Sequence, residues 1–337
     1  MQEGHHAASD LFDTSWGGGA LDAVSGWREY SVPHAERDGH SMLRRDFVAS
    51  ALALPALARA VPYLAPGHAL SFGYAAITWA GKDDAAIDEI SALGFRGIQL
   101  RASAFERWGA HPGALKERLA SRNLAFVALS SGQLRLDPAT FEDDMALHMR
   151  HARFVRECGG SFLQVVDERP RGRAPSADDF AGMAKRLSEL GKRTADIGVT
   201  LAYHNHMGNL GQAPDEVEAV LSRSDPRHVR LLLDIAHFRA AGGDPVAAVA
   251  RHAGRLAFLH LKDLRRISPP DARGGTFRFV ELGQGEVDVK GVLAALAAAD
   301  FEGWGIVELD SVTDQGRTPR DCAQTSKDYL GSIGYTI

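Results

Sequence analysis

The chain has 337 residues, 45% of them hydrophobic, and a formal net charge of −5. That length suits one large α/β domain or two modest ones, with enough apolar material for a full core. The acidic balance and scattered charges argue against a nucleic-acid partner, which favours a basic face, and the absence of any long apolar run excludes a membrane span. From the N-terminus, residues 1–41 are rich in Gly, His, Asp and Ser, lack periodicity and are expected to be disordered. Met42, a candidate natural start, opens "MLRRDFVASALALPALARA". Its paired Arg44-Arg45, mildly apolar stretch and Ala58-Arg59-Ala60 have the order of a basic n-region, an h-region and an A-x-A cleavage site. Such a pair before Phe47 is similar to a twin-arginine export signal, which places the mature protein in the periplasm; without export it stays cytoplasmic. The expected division is therefore 1–60 as leader and signal segment and 61–337 as the folded domain.

From residue 69 strands and helices alternate. Strands are predicted at 69–76, 96–101, 124–131, 161–168, 199–204, 229–234, 255–260 and 303–309. Helices are predicted over Asp83–Leu93, Pro112–Arg122, Phe141–Cys158, Ala177–Ile197, Asp215–Arg223, Asp244–His252, Val289–Ala299 and Pro319–Ile333, with a long loop at 263–288. The last three strands are continuously apolar, as burial on both faces requires. Eight strand–helix units in this length predict an α/β fold, a single-domain (β/α)8 TIM barrel. The alternative, an open doubly wound sheet, lacks its G-x-G-x-x-G turn after the first strand. Cys158 and Cys322 fall in separate helical patterns, read as two thiols in the core or at the surface; a bridge between them stays open, and no Cys-x-x-Cys spacing points to zinc.

The chemistry concentrates where the last four strands end: His204 at the end of "VTLAYH", Asp234 at the end of "VRLLLD", His260 at the end of "RLAFLH" and Glu308 within "WGIVEL". In a parallel barrel those ends converge on one face, and two imidazoles with two carboxylates suit a divalent cation such as Mn, Co, Zn or Mg. Each signal has a plainer reading: a packed histidine pair for His204 and His206, a helix N-cap for Asp234, a solvated pair for Lys262 and Asp263. Their joint occurrence favours the metal site. On the fourth strand, alternation sends one of Asp167 and Glu168 to the lumen rim, and Glu168 is the expected site member. Trp79, Phe105 and Trp108, near the ends of the first two strands, could form an apolar wall for the C–H face of a sugar. "LGQGEVD" (282–288) has no P-loop lysine and reads as a turn.

The segments "YHNHMGN", "LLLDIAHFRAAGGDP", "HLKDL", "LGQGEVD" and "GWGIVELD" resemble the sugar phosphate isomerase/epimerase family of xylose isomerase-like TIM barrels, and within it inosose dehydratase-like members. The resemblance covers about 69–335, most specifically 199–310. It implies a divalent cation, usually Mn, Co or Mg, held by Asp234, His260 and Glu308, with His237 and Lys262 against the substrate. His204 stands where the ketose epimerases of the family carry a Glu, which weakens the epimerase reading and suits a dehydratase. The expected chemistry is proton abstraction next to a carbonyl of a sugar or cyclitol. Glu308, then Glu168, then His206 are the candidate bases; Lys262 would stabilise an oxyanion and His237 would donate to a departing hydroxyl. His206, Trp79 and Trp108 are the expected substrate contacts. Isomerisation or epimerisation without water loss is the alternative; a nuclease of the endonuclease IV kind and a non-catalytic carbohydrate-binding barrel are the rivals from other classes. No phosphate cradle is visible, so an unphosphorylated small molecule is favoured, and a homo-oligomer is allowed.

Overall fold

Eight parallel strands close into a ring in the computed structural model, which describes residues 70–271, 274–312 and 314–337. The leader and export signal expected over 1–60 lie outside the described residues. The ring strands are β1 (Leu70–Ala75), β2 (Gly97–Arg101), β3 (Ala125–Leu134), β4 (Phe162–Asp167), β5 (Thr200–His204), β6 (Val229–Asp234), β7 (Leu256–Leu261) and β10 (Gly303–Val307). Each pairs in parallel with its neighbours in the order β1-β10-β7-β6-β5-β4-β3-β2, so no barrel edge is left open. Outside the ring, β8 (Asp263–Arg266) and β9 (Phe277–Val280) form an antiparallel hairpin. The described helices are α1 (Asp83–Ala92), α2 (Ser103–Trp108), α3 (Pro112–Ala120), α4 (Phe141–Glu157), α5 (Ala177–Ala195), α6 (Pro214–Arg223), α7 (Ile235–Ala240), α8 (Pro245–His252), α9 (Val289–Ala298) and α10 (Pro319–Ser332).

All eight ring strands and all eight expected helices fall where the patterning puts them, to within a few residues. Local chemistry sets the ends. Ser176 and Thr318 make reciprocal capping boxes with Asp179 and Asp321 at the starts of α5 and α10. Proline occupies the first turn of α3, α6, α8 and α10, where its missing N–H costs nothing. Three elements depart from expectation: α2 and α7 are additional, and the segment read as a loop at 263–288 carries the hairpin.

The core has two parts. The larger cluster lies between ring and helices, with Leu100, Leu129, Leu163, Leu201, Leu231 and Leu259 all buried. A second cluster, including Ala128, Ala202, Leu232, Phe258 and Ile306 with Phe162 and Trp304 against it, fills the barrel axis. Strand alternation then dictates what comes next on the inner side towards the C-terminal ends: Gln99, Ser130, Gln164, His204, Asp234, His260 and Glu308. The lumen is thus an apolar plug below a polar storey. Among the described residues no helix is long and apolar enough to cross a membrane, and Cys158 and Cys322 are both free and buried.

Candidate metal centre at the barrel mouth

Register brings the cluster together. Asp234 is paired with His260 across β6 and β7, and His204 with Leu232, two residues before Asp234. Asn205 locks the tips of β5 and β6: its amide donates to the Asp234 carbonyl at 3.2 Å and its oxygen accepts from the Asp234 N–H at 2.8 Å. Asp234 uses one carboxylate oxygen, Oδ1, to cap α7, accepting from the Ala236 and His237 amides at 2.9 Å each. The capping role and the site role thus belong to different oxygens of one side chain.

The other oxygen is the informative one. Asp234 Oδ2, His204 Nδ1 and His260 Nδ1 are all buried, and each lacks a hydrogen-bond partner. Asp234 Oδ2 lies 3.5 Å from His260 Nδ1, and His204, Asp234 and His260 offer ligand atoms within 4.8 Å of one another. Orphaned buried polar atoms are costly, and native folds rarely leave several of them in one cluster of side chains without a ligand. Two imidazole nitrogens and a carboxylate oxygen form a donor set that a divalent cation satisfies. Burial pushes the His204 ring well below the ordinary histidine range, with His260, His206 and Lys262 adding to the effect. The ring is therefore neutral and its lone pair is available, as metal ligation requires.

Glu308 and Lys262 adjoin this triad. Glu308 Oε1 lies 3.5 Å from His260 Nδ1 and accepts from Lys262 Nζ at 3.1 Å. Lys262 is fully buried, donates to Asp310 Oδ1 at 2.5 Å and has Asp234 Oδ2 at 3.8 Å. Burial disfavours its charge, yet Asp310, Glu308 and Asp234 together outweigh that and hold its affinity for the proton above the ordinary lysine value. The Phe279 ring of the hairpin covers the ammonium at 4.1 Å. On the far side, His237 accepts the Met207 N–H on Nδ1 at 3.2 Å, and its Nε2 lies 3.3 Å from the Lys262 ammonium, so both ring nitrogens face N–H donors. Burial, with His206 and Lys262, depresses this ring too. His206 stacks on His237 at 3.8 Å between centroids, and its Nδ1 is 2.7 Å from the Met207 carbonyl.

The backbone that presents these groups is fixed from behind. Asp263, next to Lys262, accepts from the amides of Leu264, Gly283, Gly285 and Val287. The turn "LGQGEVD" therefore wraps a carboxylate of the protein itself. A Cβ on Gly285 would collide with Asp263 and the Leu264 carbonyl, and Gly283 has φ +80°. Asp167, on the outer side of β4, accepts from Tyr203 Oη at 2.6 Å and from the Leu210 and Gly211 amides, pinning the loop that carries His206.

Of the residues singled out in the sequence, His204, His206, Asp234, His237, His260, Lys262 and Glu308 lie together. Four do not join them: Glu168, Trp79, Trp108, and Phe105, which packs edge-on against His151 and Phe154 of α4. Glu168 accepts the Leu136 N–H on Oε2 at 2.7 Å, on the β3 side of the mouth, and no contact links it to the triad. The aromatic wall is corrected. Trp79 is 3% exposed and donates its indole N–H to Glu89 on α1; Trp108 is packed in the outer core with the Arg107 guanidinium over its ring. Both rings are spent on holding helices to strands, leaving little face for a substrate. Residues not assigned to the site from sequence are Asp310, Phe279, Asn205 and the lumen glutamines Gln99 and Gln164. A glutamine inside an apolar strand, as in "GIQLR" and "FLQVVD", is the one signal that could have marked the last two.

A xylose isomerase-like TIM barrel family model matches residues 87–331, and the chain belongs to that family. An inosose dehydratase of Lacticaseibacillus casei is 25% identical over 296 residues, covering 77% of this chain and 96% of that protein. The rhizopine catabolism protein MocC of Rhizobium meliloti is 28% identical over 274 residues, covering 71% and 81%. Among solved structures, IOLI protein with a bound zinc atom superposes with a TM-score of 0.65 at 19% identity, covering 78% of this chain and 98% of that one; this likeness shows the fold.

Proposed function

We propose that this chain is a divalent-metal-dependent enzyme that removes a proton next to the carbonyl of a sugar or cyclitol, in a dehydration of the inosose dehydratase kind. The observation that carries the reading is the trio of unpartnered buried atoms on His204, Asp234 and His260, with Lys262 and Glu308 beside it. The curated relatives named inosose dehydratase and the zinc-binding structural neighbour support it. His204, Asp234 and His260 would hold the ion, with Glu308 within reach as a fourth ligand. Mn, Co, Mg and Zn all fit the donor chemistry. A cation bound there supplies Lewis-acid polarisation of a ketone oxygen.

The protein's own groups divide the remaining work. Glu308 is the proposed base: its Oε1 is buried, lies beside the triad and is held in place by Lys262. Lys262, kept charged by three carboxylates, stabilises negative charge developing on the substrate oxygen. His237, with its Nε2 3.3 Å from the Lys262 ammonium, is the proposed donor to the departing hydroxyl. His206, stacked on it, is the proposed substrate contact. Glu168 is kept only as a reserve base, since it stands apart.

The test is to incubate manganese- or cobalt-loaded protein with inososes and keto-sugars in D₂O and follow them by NMR. Deuterium uptake next to the carbonyl with loss of water is the expected result; uptake without water loss selects isomerisation or epimerisation. Glu308→Gln should lower turnover by about 100-fold or more, the range of a lost general base. Absence of both deuterium uptake and metal retention in the wild-type protein would refute the proposal and favour a non-catalytic carbohydrate-binding barrel.

A further inference from the structure

The storey of polar side chains inside the ring holds a closed chain of hydrogen bonds that ends on one imidazole of the triad. His260 Nε2 lies 2.9 Å from Gln99 Oε1. Gln99 Nε2 donates to Ser130 Oγ at 2.9 Å and to Gln164 Oε1 at 2.8 Å, and Ser130 Oγ donates to Gln164 Oε1 at 2.5 Å. All four side chains point inward from different strands, and Gln99 on β2 reaches His260 on β7 across the lumen, since β1 and β10 stand between those strands in the ring.

The amide orientations set the direction of the chain: the Gln99 NH₂ faces Ser130 and Gln164, and its oxygen faces the imidazole. Ser130 has a single hydroxyl hydrogen and gives it to Gln164, so it can only accept from Gln99. With the Gln164 oxygen directed at Gln99 and Ser130, both contacts on that side take the NH₂ end of Gln99, and its oxygen is left for the imidazole. An amide oxygen only accepts, so His260 must carry its proton on Nε2. A neutral ring protonated on Nε2 has a bare Nδ1, and Nδ1 is the atom that faces Asp234 Oδ2 and Glu308 Oε1 at 3.5 Å each and has no partner. Turning the Gln99 amide over would reverse the tautomer and aim an N–H at the position where a lone pair is needed.

We infer that Gln99 is a positioning residue for the metal centre: held by Ser130 and Gln164, it fixes His260 in the tautomer that offers Nδ1 to the cation. Partners of this kind set ring orientation and ligand basicity and typically matter 10–100-fold in metal affinity. The inference rests on the metal reading above and deepens it, by assigning a role to three residues on β2, β3 and β4 that stand behind the His260 imidazole.

The experiment has two readouts that do not depend on turnover. The first is ¹⁵N-histidine NMR of the metal-free wild-type protein, with the His260 signal identified by its loss in His260→Gln. The second is cobalt affinity, from titration of the visible absorbance. The expected results are an Nε2–H tautomer in the wild type, cobalt affinity about tenfold or more weaker in Gln99→Leu, and affinity within a few-fold of wild type in Gln99→Glu. The glutamate keeps an acceptor for Nε2–H, while the Gln164 amide turns to donate to it. A filler role would lower the melting temperature of both variants and leave cobalt affinity alone. A wild-type His260 protonated on Nδ1 overturns the inference, as does a folded Gln99→Leu that binds cobalt like the wild type. If Gln99→Leu does not fold, the wild-type tautomer and Gln99→Glu decide. A wild-type protein that binds no cobalt removes the metal reading itself, a failure distinct from one confined to Gln99.

Discussion

Lys262 is the residue on which the charge balance of the mouth turns. It is fully buried, and its ammonium is shared among Asp310, Glu308 and Asp234, of which Asp234 is wholly buried and Glu308 nearly so. Removing one partner of a buried ion pair leaves uncompensated charge, at a cost of about 3–5 kcal/mol. Lys262→Met should therefore destabilise the metal-free protein by about 3 kcal/mol, read as a lower urea midpoint. A loss under about 1 kcal/mol would mean that the carboxylates find other partners, as an exposed cluster does. Added cation should recover part of the loss, because it supplies the positive charge that the methionine lacks. Asp234 shows why a single-residue reading of sequence leaves alternatives open. Oδ1 serves the helix cap, while Oδ2 has no hydrogen-bond partner and is the atom assigned to the proposed ligand role.

At the scale of elements, the ring strands were legible because burial on both faces produces short unbroken apolar runs, and the helices because caps and prolines punctuate them. The hairpin β8–β9 was not. Its alternation, "DLRR" against "FRFV", is brief and arginine-rich, and its apolar side is justified only by Lys262 and His237 lying beneath Phe279. The lumen glutamines were hidden for a similar reason: a polar residue in a strand acquires meaning only when ring closure aims it at three other strands. Trp79 and Trp108 misled in the opposite direction, since a strand-end aromatic can serve helix packing as readily as a ligand. The contact between α4 and β3 carries a prediction of its own. His148 Nδ1 lies 2.6 Å from Ser131 Oγ, and His151 Nδ1 lies 2.8 Å from the same oxygen. Burial pushes His148 down to about 4. A histidine depressed in the fold contributes stability that is complete above its unfolded value near 6.5 and is lost as pH falls towards the folded value. Over that window stability should drop by about 1.4 kcal/mol per pH unit. Asp167, raised to about 6 by burial, pulls the other way. The comparison must therefore be with His148→Asn, whose melting curves should show a shallower decline between pH 6.5 and pH 4. An unchanged slope would show that His148 is already open to protonation.

For the molecule as a whole, the plain prediction is linkage. A cation that binds the folded ring and not the unfolded chain stabilises it by about 2.7 kcal/mol at a hundredfold excess over its dissociation constant. Melting with EDTA and then with manganese or cobalt should separate the two midpoints by several degrees in the wild type and bring them together in His260→Ala. Coincident midpoints in the wild type would remove the ion from the account of this fold. Fold and proposed ligand set are of one piece here: closing the ring carries candidate ligand atoms of His204, Asp234 and His260 from three successive strand ends to within 4.8 Å of one another. The floor beneath them has a further consequence. Phe162, Phe258, Leu232 and Ile306 stop the bore of the ring, which leaves the polar storey above them open only towards the C-terminal mouth. Whatever is consumed and whatever is formed must use the same doorway, one after the other. Accumulated product should therefore inhibit competitively, raising the apparent KM and leaving kcat untouched.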